Sequence, residues 1–316
     1  MTNLTRRSAL IEGGAATLLA TGAAQAAGPP VWLDMDQQTL DDAYDQAKYA
    51  PNLPQILKRY ASNSDIARAH LGAPRRIAYG PTANEALDLY PAATENAPIS
   101  IFVHGGAWRT QVARNYAFAA ELFVRAGSHH IVPDFVNVEA TGGDLAPMAD
   151  QVRRAIVWVF QNARSFSGDP NRIHLYGHSS GAHLAGVAMV TDWQGAFNLP
   201  ADVIKTGLLC SGLYDLKPVR ISARSRYIRF TDEMEEALST QRHIDRFVAP
   251  VILAYGTQET PEFQRQTRDF NIALGAAGKR VEVLLGQNYN HFEMAETLGS
   301  PYGLLGRAAL TQISAG

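Results

Sequence analysis

The 316-residue chain has one cysteine, Cys210, so no disulfide can form within it and no thiolate cluster can bind a metal. An excess of positive charge is also missing. With 28 Lys and Arg against 30 Asp and Glu the formal net charge is −2, and without a basic stripe the chain has nothing to track a nucleic-acid backbone. No apolar run reaches the roughly 20 residues that a membrane-spanning helix needs. Low-complexity tracts are absent beyond the first thirty positions, which excludes a largely disordered chain. What is abundant is apolar: 46% of the residues are hydrophobic and 18% are charged. A chain of this length buries about 75% of the surface that its unfolded form exposes, so folding needs neither a metal nor a disulfide. One large α/β domain accommodates it.

The N-terminus has the grammar of an export signal. Arg6 and Arg7 precede a weakly apolar stretch from Ala9 to Ala23, and Ala24-Gln25-Ala26 supplies an A-x-A cleavage site. That stretch is too short for a membrane anchor and carries Glu12. The expectation is a twin-arginine-type signal over residues 1–26 and a periplasmic or secreted mature protein over 27–316, with no stable membrane insertion after cleavage.

Within the mature chain, Leu40 to Leu71 reads as helical, broken into short pieces by Pro51 and Pro54. From Arg76 onward, short apolar runs alternate with longer amphipathic stretches, the pattern of strands interleaved with helices. Arg76–Tyr79 and Ala86–Tyr90 predict a hairpin across the turn signal at Gly80-Pro81. Further strands are predicted at 99–103, 130–136, 172–176, 206–210, 251–255 and 281–285, and helices at 115–126, 148–163, 182–190, 263–275 and 304–313. A charged helical insertion, 216–246, separates two of the strands. No repeat or linker interrupts this alternation, so 27–316 is expected to form one domain, with 27–75 as an N-terminal helical segment.

The strongest chemical signal is Gly177-x-Ser179-x-Gly181, after a β-branched and aromatic strand and before a helix-forming run. Such a turn is too tight for side chains at the flanking positions, and it projects the serine hydroxyl from the end of a strand as a nucleophile. A serine needs a base and an orienting acid, which follow it in the order acid, histidine in such sites. Of the later histidines, His183 lies one turn into the following helix and His243 in the insertion, whereas His291 follows the last strand. Position therefore favours His291 as base. For the acid, Glu259 follows the strand at 251–255 and Asp215 follows the one before it; either carboxylate can orient an imidazole. The loop carrying Glu259 should lie nearer the histidine loop.

Backbone donors for an oxyanion are expected from His104-Gly105-Gly106-Ala107-Trp108, with the N–H groups of Gly106, Ala107 and Ser180 forming the hole and Gly105 setting the turn. His104 reads as a structural residue of that loop. The adjacent His129 and His130 lack a third ligand at metal spacing, so a core or loop role is expected. Trp108, Tyr214 and Tyr289, with the N-terminal aromatic residues, are candidates to line an apolar pocket. Arg220, Arg224, Arg226 and Arg229 read as a solvated helix face, with contact to an anionic substrate as the other possibility. Cys210 is expected to pack as a small hydrophobe.

Four segments, His104-Gly-Gly-Ala-Trp108, Gly177-His-Ser-Ser-Gly-Ala-His183, Gly256-Thr-Gln-Glu-Thr-Pro-Glu-Phe263 and His291-Phe-Glu-Met294, resemble the kynurenine formamidase (arylformamidase) and related carboxylesterase branch of the α/β-hydrolase fold. Leu40-Asp41-Asp42-Ala43-Tyr44 is similar to a pattern near the start of that branch. The resemblance implies a mostly parallel central sheet flanked by helices, with Ser179 as nucleophile, Glu259 as acid and His291 as base. Aspartate is common at the acid position in that branch, so Glu259 is a departure. The function implied is hydrolysis of a small ester or amide through an acyl-enzyme, with no cofactor and no metal. The insertion and the N-terminal helices are expected to cap the site. A binding protein on the same scaffold is the alternative, which a missing triad member would favour; none is missing. No signal for oligomeric state is present.

Overall fold

The computed structural model describes residues 28–315, so the expected export signal lies outside the described residues. The elements run in the order α1 (Gln37–Ala43), α2 (Leu53–Leu71), β1 (Arg75–Ala78), β2 (Ala86–Tyr90), β3 (Ala97–Val103), α3 (Ala120–Arg125), β4 (His129–Pro133), α4 (Ala146–Asn162), β5 (Gly168–His178), α5 (Ser180–Met189) and α6 (Trp193–Phe197). They continue through β6 (Ile204–Cys210), α7 (Leu216–Arg220), α8 (Asp232–Leu238), β7 (Val251–Gly256), α9 (Pro261–Ala276), β8 (Val281–Gly286), α10 (His291–Glu296) and α11 (Leu304–Ala315). The eight strands form one sheet in the order β1-β2-β4-β3-β5-β6-β7-β8. The β1–β2 and β2–β4 pairs are antiparallel and the others parallel. This is the α/β-hydrolase arrangement expected from the alternation of short apolar runs with amphipathic helices.

Period-two alternation along the buried strands sorts their side chains to two faces. On β3, Ile99, Ile101 and Val103 join the core with α1, α4, α5 and α9, whereas Phe102 joins the opposite core with α2, α3, α10 and α11. Cys210 lies in that second core beside Leu208 and Met294, and burial pushes its thiol well above the ordinary range, as suits a packing residue.

Three local expectations change. The strand predicted over 130–136 ends at Pro133, because its neighbour β2 begins at Ala86: the Asp134 N–H still reaches the Ala86 carbonyl, and beyond it no residue of β2 remains to pair. The predicted helix at 115–126 is a 3₁₀ segment, Ala113–Ala119, leading into the short α3, with a break at Tyr116. Pro54 does not interrupt a helix: it occupies the first turn of the 19-residue α2, where a missing N–H is harmless.

The segments 216–246 and 28–75 come together over the ends of the parallel strands. Gln37 Nε2 donates to the Ile221 carbonyl at 2.8 Å, and Arg226 approaches Asp41 at 3.4 Å. Tyr44 anchors the N-terminal segment on α9, donating its buried hydroxyl to Glu262 Oε2 at 2.9 Å and accepting from Gln266 Nε2 at 2.9 Å.

Candidate active site

The parallel strands all point one end toward the same edge of the sheet, the place where α/β folds gather functional groups. The β5 register sets the first of these. Val103 of β3 pairs with Gly177, and His178 with Cys210 of β6, so Ser179 leaves the sheet between the ends of its two central neighbours. Ser179 has φ 58° and ψ −128°, a conformation that L-residues avoid and that a tight strand-to-helix turn imposes. Its N–H is held by the Cys210 carbonyl at 2.9 Å. Gly181 is needed for close approach: a Cβ there would collide with the backbone carbonyls of Val103 and His104.

His291 and Glu259 arrive from the next two strand ends. His291 opens α10, whose capping box fixes its backbone: the Asn290 side chain accepts from the N–H groups of Phe292 and Glu293, while Glu293 accepts from the Asn290 N–H. The imidazole is 3% exposed, with Nε2 2.9 Å from Ser179 Oγ and Nδ1 2.8 Å from Glu259 Oε2. Because the carboxylate accepts a hydrogen bond from Nδ1–H, Nε2 is left bare to receive the serine proton. Glu259 is 1% exposed, and its other oxygen accepts from Ser211 Oγ and from the Gly256 N–H, each at 2.7 Å. Gln46 Nε2, from the N-terminal segment, reaches Thr260 Oγ1 at 3.2 Å. Asp215 is not part of this line. Its side chain caps α7, accepting from the Lys217 N–H at 3.1 Å.

His178, the residue before the serine, places its ring 4.6 Å from that of His291 and bonds through Nε2 to the His291 carbonyl at 2.8 Å. Burial, and then repulsion from His291, holds its pKa well below the ordinary histidine range, so it is neutral and donates that bond.

The glycine loop after β3 lies beside the serine. Gly106, Ala107 and Trp108 have φ of 119°, 56° and 61°, three successive residues in the left-handed half of the map. The turn residue is therefore Gly106. Gly105 serves close approach, since a Cβ there would sit 3.0 Å from both the Ser179 Cβ and the His178 carbonyl oxygen. The Trp108 N–H donates to Ser180 Oγ at 3.2 Å, tying the loop to the start of α5. Among the described residues the N–H groups of Gly106, Ala107 and Ser180 have no acceptor, and Gly106 and Ala107 line the same cavity as Ser179. Such free donors beside a serine are what a tetrahedral oxyanion requires. His104 holds the loop from beneath, stacked 4.5 Å from Phe135 and 5.4 Å from Tyr116.

The cavity over Ser179 has a volume of about 240 Å³. Its aromatic wall differs from expectation. Tyr214 is fully buried, stacked 4.2 Å from Phe270 with its N–H held by Gln266, and does not reach the cavity. The Trp108 indole is also buried, donating to His183 Nδ1 at 3.2 Å, and Tyr289 lies outside the lining on an exposed loop. Tyr44, Tyr116 and Phe292 take their place, with Leu53 and Leu57 from α2. Arg224, read from the sequence as part of a solvated face, lines this cavity too.

His129 and His130 are core residues. His129 Nδ1 accepts from the Ala92 N–H at 3.0 Å, and His130 stacks on Phe123 at 4.8 Å with its pKa pushed down to about 3 by burial. Among the described residues, no group of three or more His, Cys, Asp or Glu side chains is arranged to hold a metal, and no helix is long and apolar enough to cross a membrane.

Comparison with known proteins agrees with this fold. Kynurenine formamidase of Danio rerio is 28% identical over 303 residues, covering 89% of this chain and 98% of the relative. Its counterpart in Salmo salar is 29% identical over 287 residues, covering 84% and 93%. A crystal structure from Silicibacter sp. tm1040, proposed to be a thioesterase, superposes with a TM-score of 0.75 at 22% identity, covering 87% of this chain and 98% of that one. The sequence profile of the BD-FAE family matches residues 87–302. That span runs from β2 past α10 and includes Ser179, Glu259 and His291, and the chain is accordingly an α/β-hydrolase belonging to the BD-FAE family.

Proposed function

We propose that the protein is a serine hydrolase that cleaves a small carboxylic ester or amide, of the aryl ester or aryl formamide type, through an acyl-enzyme. The observation that carries this reading is the buried line Glu259–His291–Ser179, with hydrogen bonds of 2.8 and 2.9 Å, opening beside unoccupied backbone donors. In the first step His291 Nε2 takes the Ser179 proton while Oγ bonds to the carbonyl carbon. The N–H groups of Gly106, Ala107 and Ser180 receive the oxyanion. Collapse of this intermediate breaks the bond to the leaving alcohol or amine, which takes the proton from His291. Water then gives a proton to His291 and its oxygen to the acyl carbon, and Ser179 leaves with its own proton restored. Glu259 accepts the Nδ1–H throughout and holds the imidazolium in place.

The small cavity and its walls of Tyr44, Tyr116 and Phe292 suit a compact, flat acyl or aryl group. Segments 28–75 and 216–246 act as a partial cap that limits substrate size. The names of the relatives, kynurenine formamidases and also an esterase of Mycobacterium tuberculosis at 28% identity, support both ester and amide substrates. Assay of the purified protein against aryl esters, anilides and formylated aryl amines separates these. Ser179→Ala should abolish turnover with little change in fold, and retained turnover overturns the reading.

We infer further that residues 1–26 direct export to the periplasm or beyond. N-terminal sequencing of the protein from the native host should show a mature form starting at Ala27; a full-length cytoplasmic form contradicts this.

A further inference from the structure

The four arginines of the 216–246 insertion divide by their partners. Arg220 pairs with Asp232 at 2.6 Å and Glu235 at 3.1 Å, and Arg226 with Asp41 at 3.4 Å. Arg229 lies against Gly142 and Gly143 and lines a different groove. Arg224 alone of the four lines the cavity that contains Ser179 and His291. Among the described residues, no carboxylate oxygen comes within 4.0 Å of its guanidinium.

The group is nonetheless held firmly. Nη1 donates to the Tyr227 hydroxyl at 2.7 Å, Nη2 donates to the Tyr44 carbonyl at 2.9 Å, and Cζ lies 5.7 Å from the centre of the Trp108 ring. All three partners are neutral, so they fix the plane of the guanidinium without cancelling its charge. Its other N–H groups have no acceptor among the described residues. Asp45, the acidic residue in the same lining, turns its carboxylate to the Ala47 N–H at 3.1 Å and is not paired with Arg224. A half-buried cation without a counter-ion has lost hydration that no neighbouring charge restores. An incoming carboxylate, matched to the planar fork of N–H donors, restores it.

We propose that Arg224 binds a carboxylate on the substrate, so that the preferred substrates are esters or amides bearing an anionic group besides the bond that is cleaved. This rests on the hydrolase reading above, since it assigns a substrate class to the same cavity. The cap segments are then more than a size filter: the Tyr44 carbonyl of one and the Tyr227 hydroxyl of the other jointly orient the residue that reads charge.

The test compares two acetate esters, phenyl acetate and carboxyphenyl acetate, on the wild type and on Arg224→Gln. The wild type should favour the anionic ester in kcat/KM by about tenfold or more, mostly through KM, and Arg224→Gln should bring the ratio close to one. A ratio that Arg224→Gln leaves unchanged overturns the proposal, whatever happens to the absolute rates. A purely structural role for Arg224 lowers both esters together and so leaves the ratio intact. To separate this from the nucleophile assignment, binding of carboxyphenyl acetate to Ser179→Ala is measured by calorimetry, with and without Arg224→Gln. Binding weakened about tenfold by Arg224→Gln supports the proposal even where Ser179 proves dispensable for turnover, and binding indifferent to Arg224 overturns it.

Discussion

Ser211 donates its hydroxyl to Glu259 Oε1 at 2.7 Å, on the carboxylate oxygen opposite the one that meets His291. The two oxygens thus divide the work, one anchored by Ser211 and Gly256 and the other facing the imidazole. This anchoring fixes the reach of the longer glutamate side chain. Glu259→Gln should lower kcat by about 10³- to 10⁴-fold, because the neutral amide no longer holds the imidazole in the required tautomer. Ser211→Ala, which leaves the charge in place but loosens it, should cost about tenfold. Steady-state kinetics on one good aryl ester checks both; a Gln variant within tenfold of the wild type contradicts the role.

Gly181→Ala tests the close packing behind the nucleophile. The new methyl group would meet the Val103 and His104 carbonyl oxygens, which belong to a central strand end and cannot swing aside. A loss of about 3 kcal/mol or more is expected, read as a lower denaturation midpoint or failure to accumulate as soluble protein. Gly275→Ala, in α9 and with nothing within 4 Å of the added methyl, controls for losing a helical glycine alone, and should cost nothing.

Acid should destabilise the fold through buried neutral histidines. Burial pushes His174 and His183 down to about 4 and His130 to about 3. In the unfolded chain the same groups titrate near 6.5, so below that pH the unfolded state binds more protons and stability falls until the folded values are reached. The contribution is complete above about pH 6.5 and is lost toward pH 4, at up to about 1.4 kcal/mol per pH unit for each group. His183 uses both nitrogens, accepting from Trp108 Nε1 and donating to the Leu238 carbonyl. His183→Gln should therefore be less stable at pH 7 but lose about 2 kcal/mol less between pH 7 and 4.5, measured by urea unfolding. Parallel curves for the two proteins contradict this.

The parts of the site that a local window can carry were legible in the sequence. Gly177-x-Ser179-x-Gly181 and the double glycine at 105–106 reflect backbone demands that only short stretches must meet, and His291 and Glu259 stand just past strand ends. The cavity wall was not legible, because it depends on which loops meet over the sheet. Tyr44 and Arg224 join across 180 positions of sequence, and nothing near either residue signals the other. Tyr214 follows a strand end as Ser211 does, yet Gln266 and Phe270 of α9 draw it inward. The strand at 130–136 was overestimated for a related reason: apolar residues resume at Phe135 and Val136, but pairing with β2 has already ended.

Tyr44→Phe tests whether the N-terminal segment is held by α9. The change removes a buried hydrogen bond to the Glu262 carboxylate, which keeps its contacts to Arg265, and leaves Gln266 Nε2 short of an acceptor. Stability should fall by about 1–3 kcal/mol in urea with an unchanged slope. No loss would mean that the Tyr44 hydroxyl does not hold the segment, leaving its docking to apolar contact and to the bonds of Gln37 and Gln46.

The most direct test of the account is covalent labelling of the nucleophile. The protein is treated with phenylmethylsulfonyl fluoride and the modified residue located by peptide mass spectrometry. One adduct per chain on Ser179, formed together with loss of esterase activity and absent in Ser179→Ala, is the predicted result. An adduct elsewhere that tracks the loss of activity, or full activity with Ser179 modified, would contradict it.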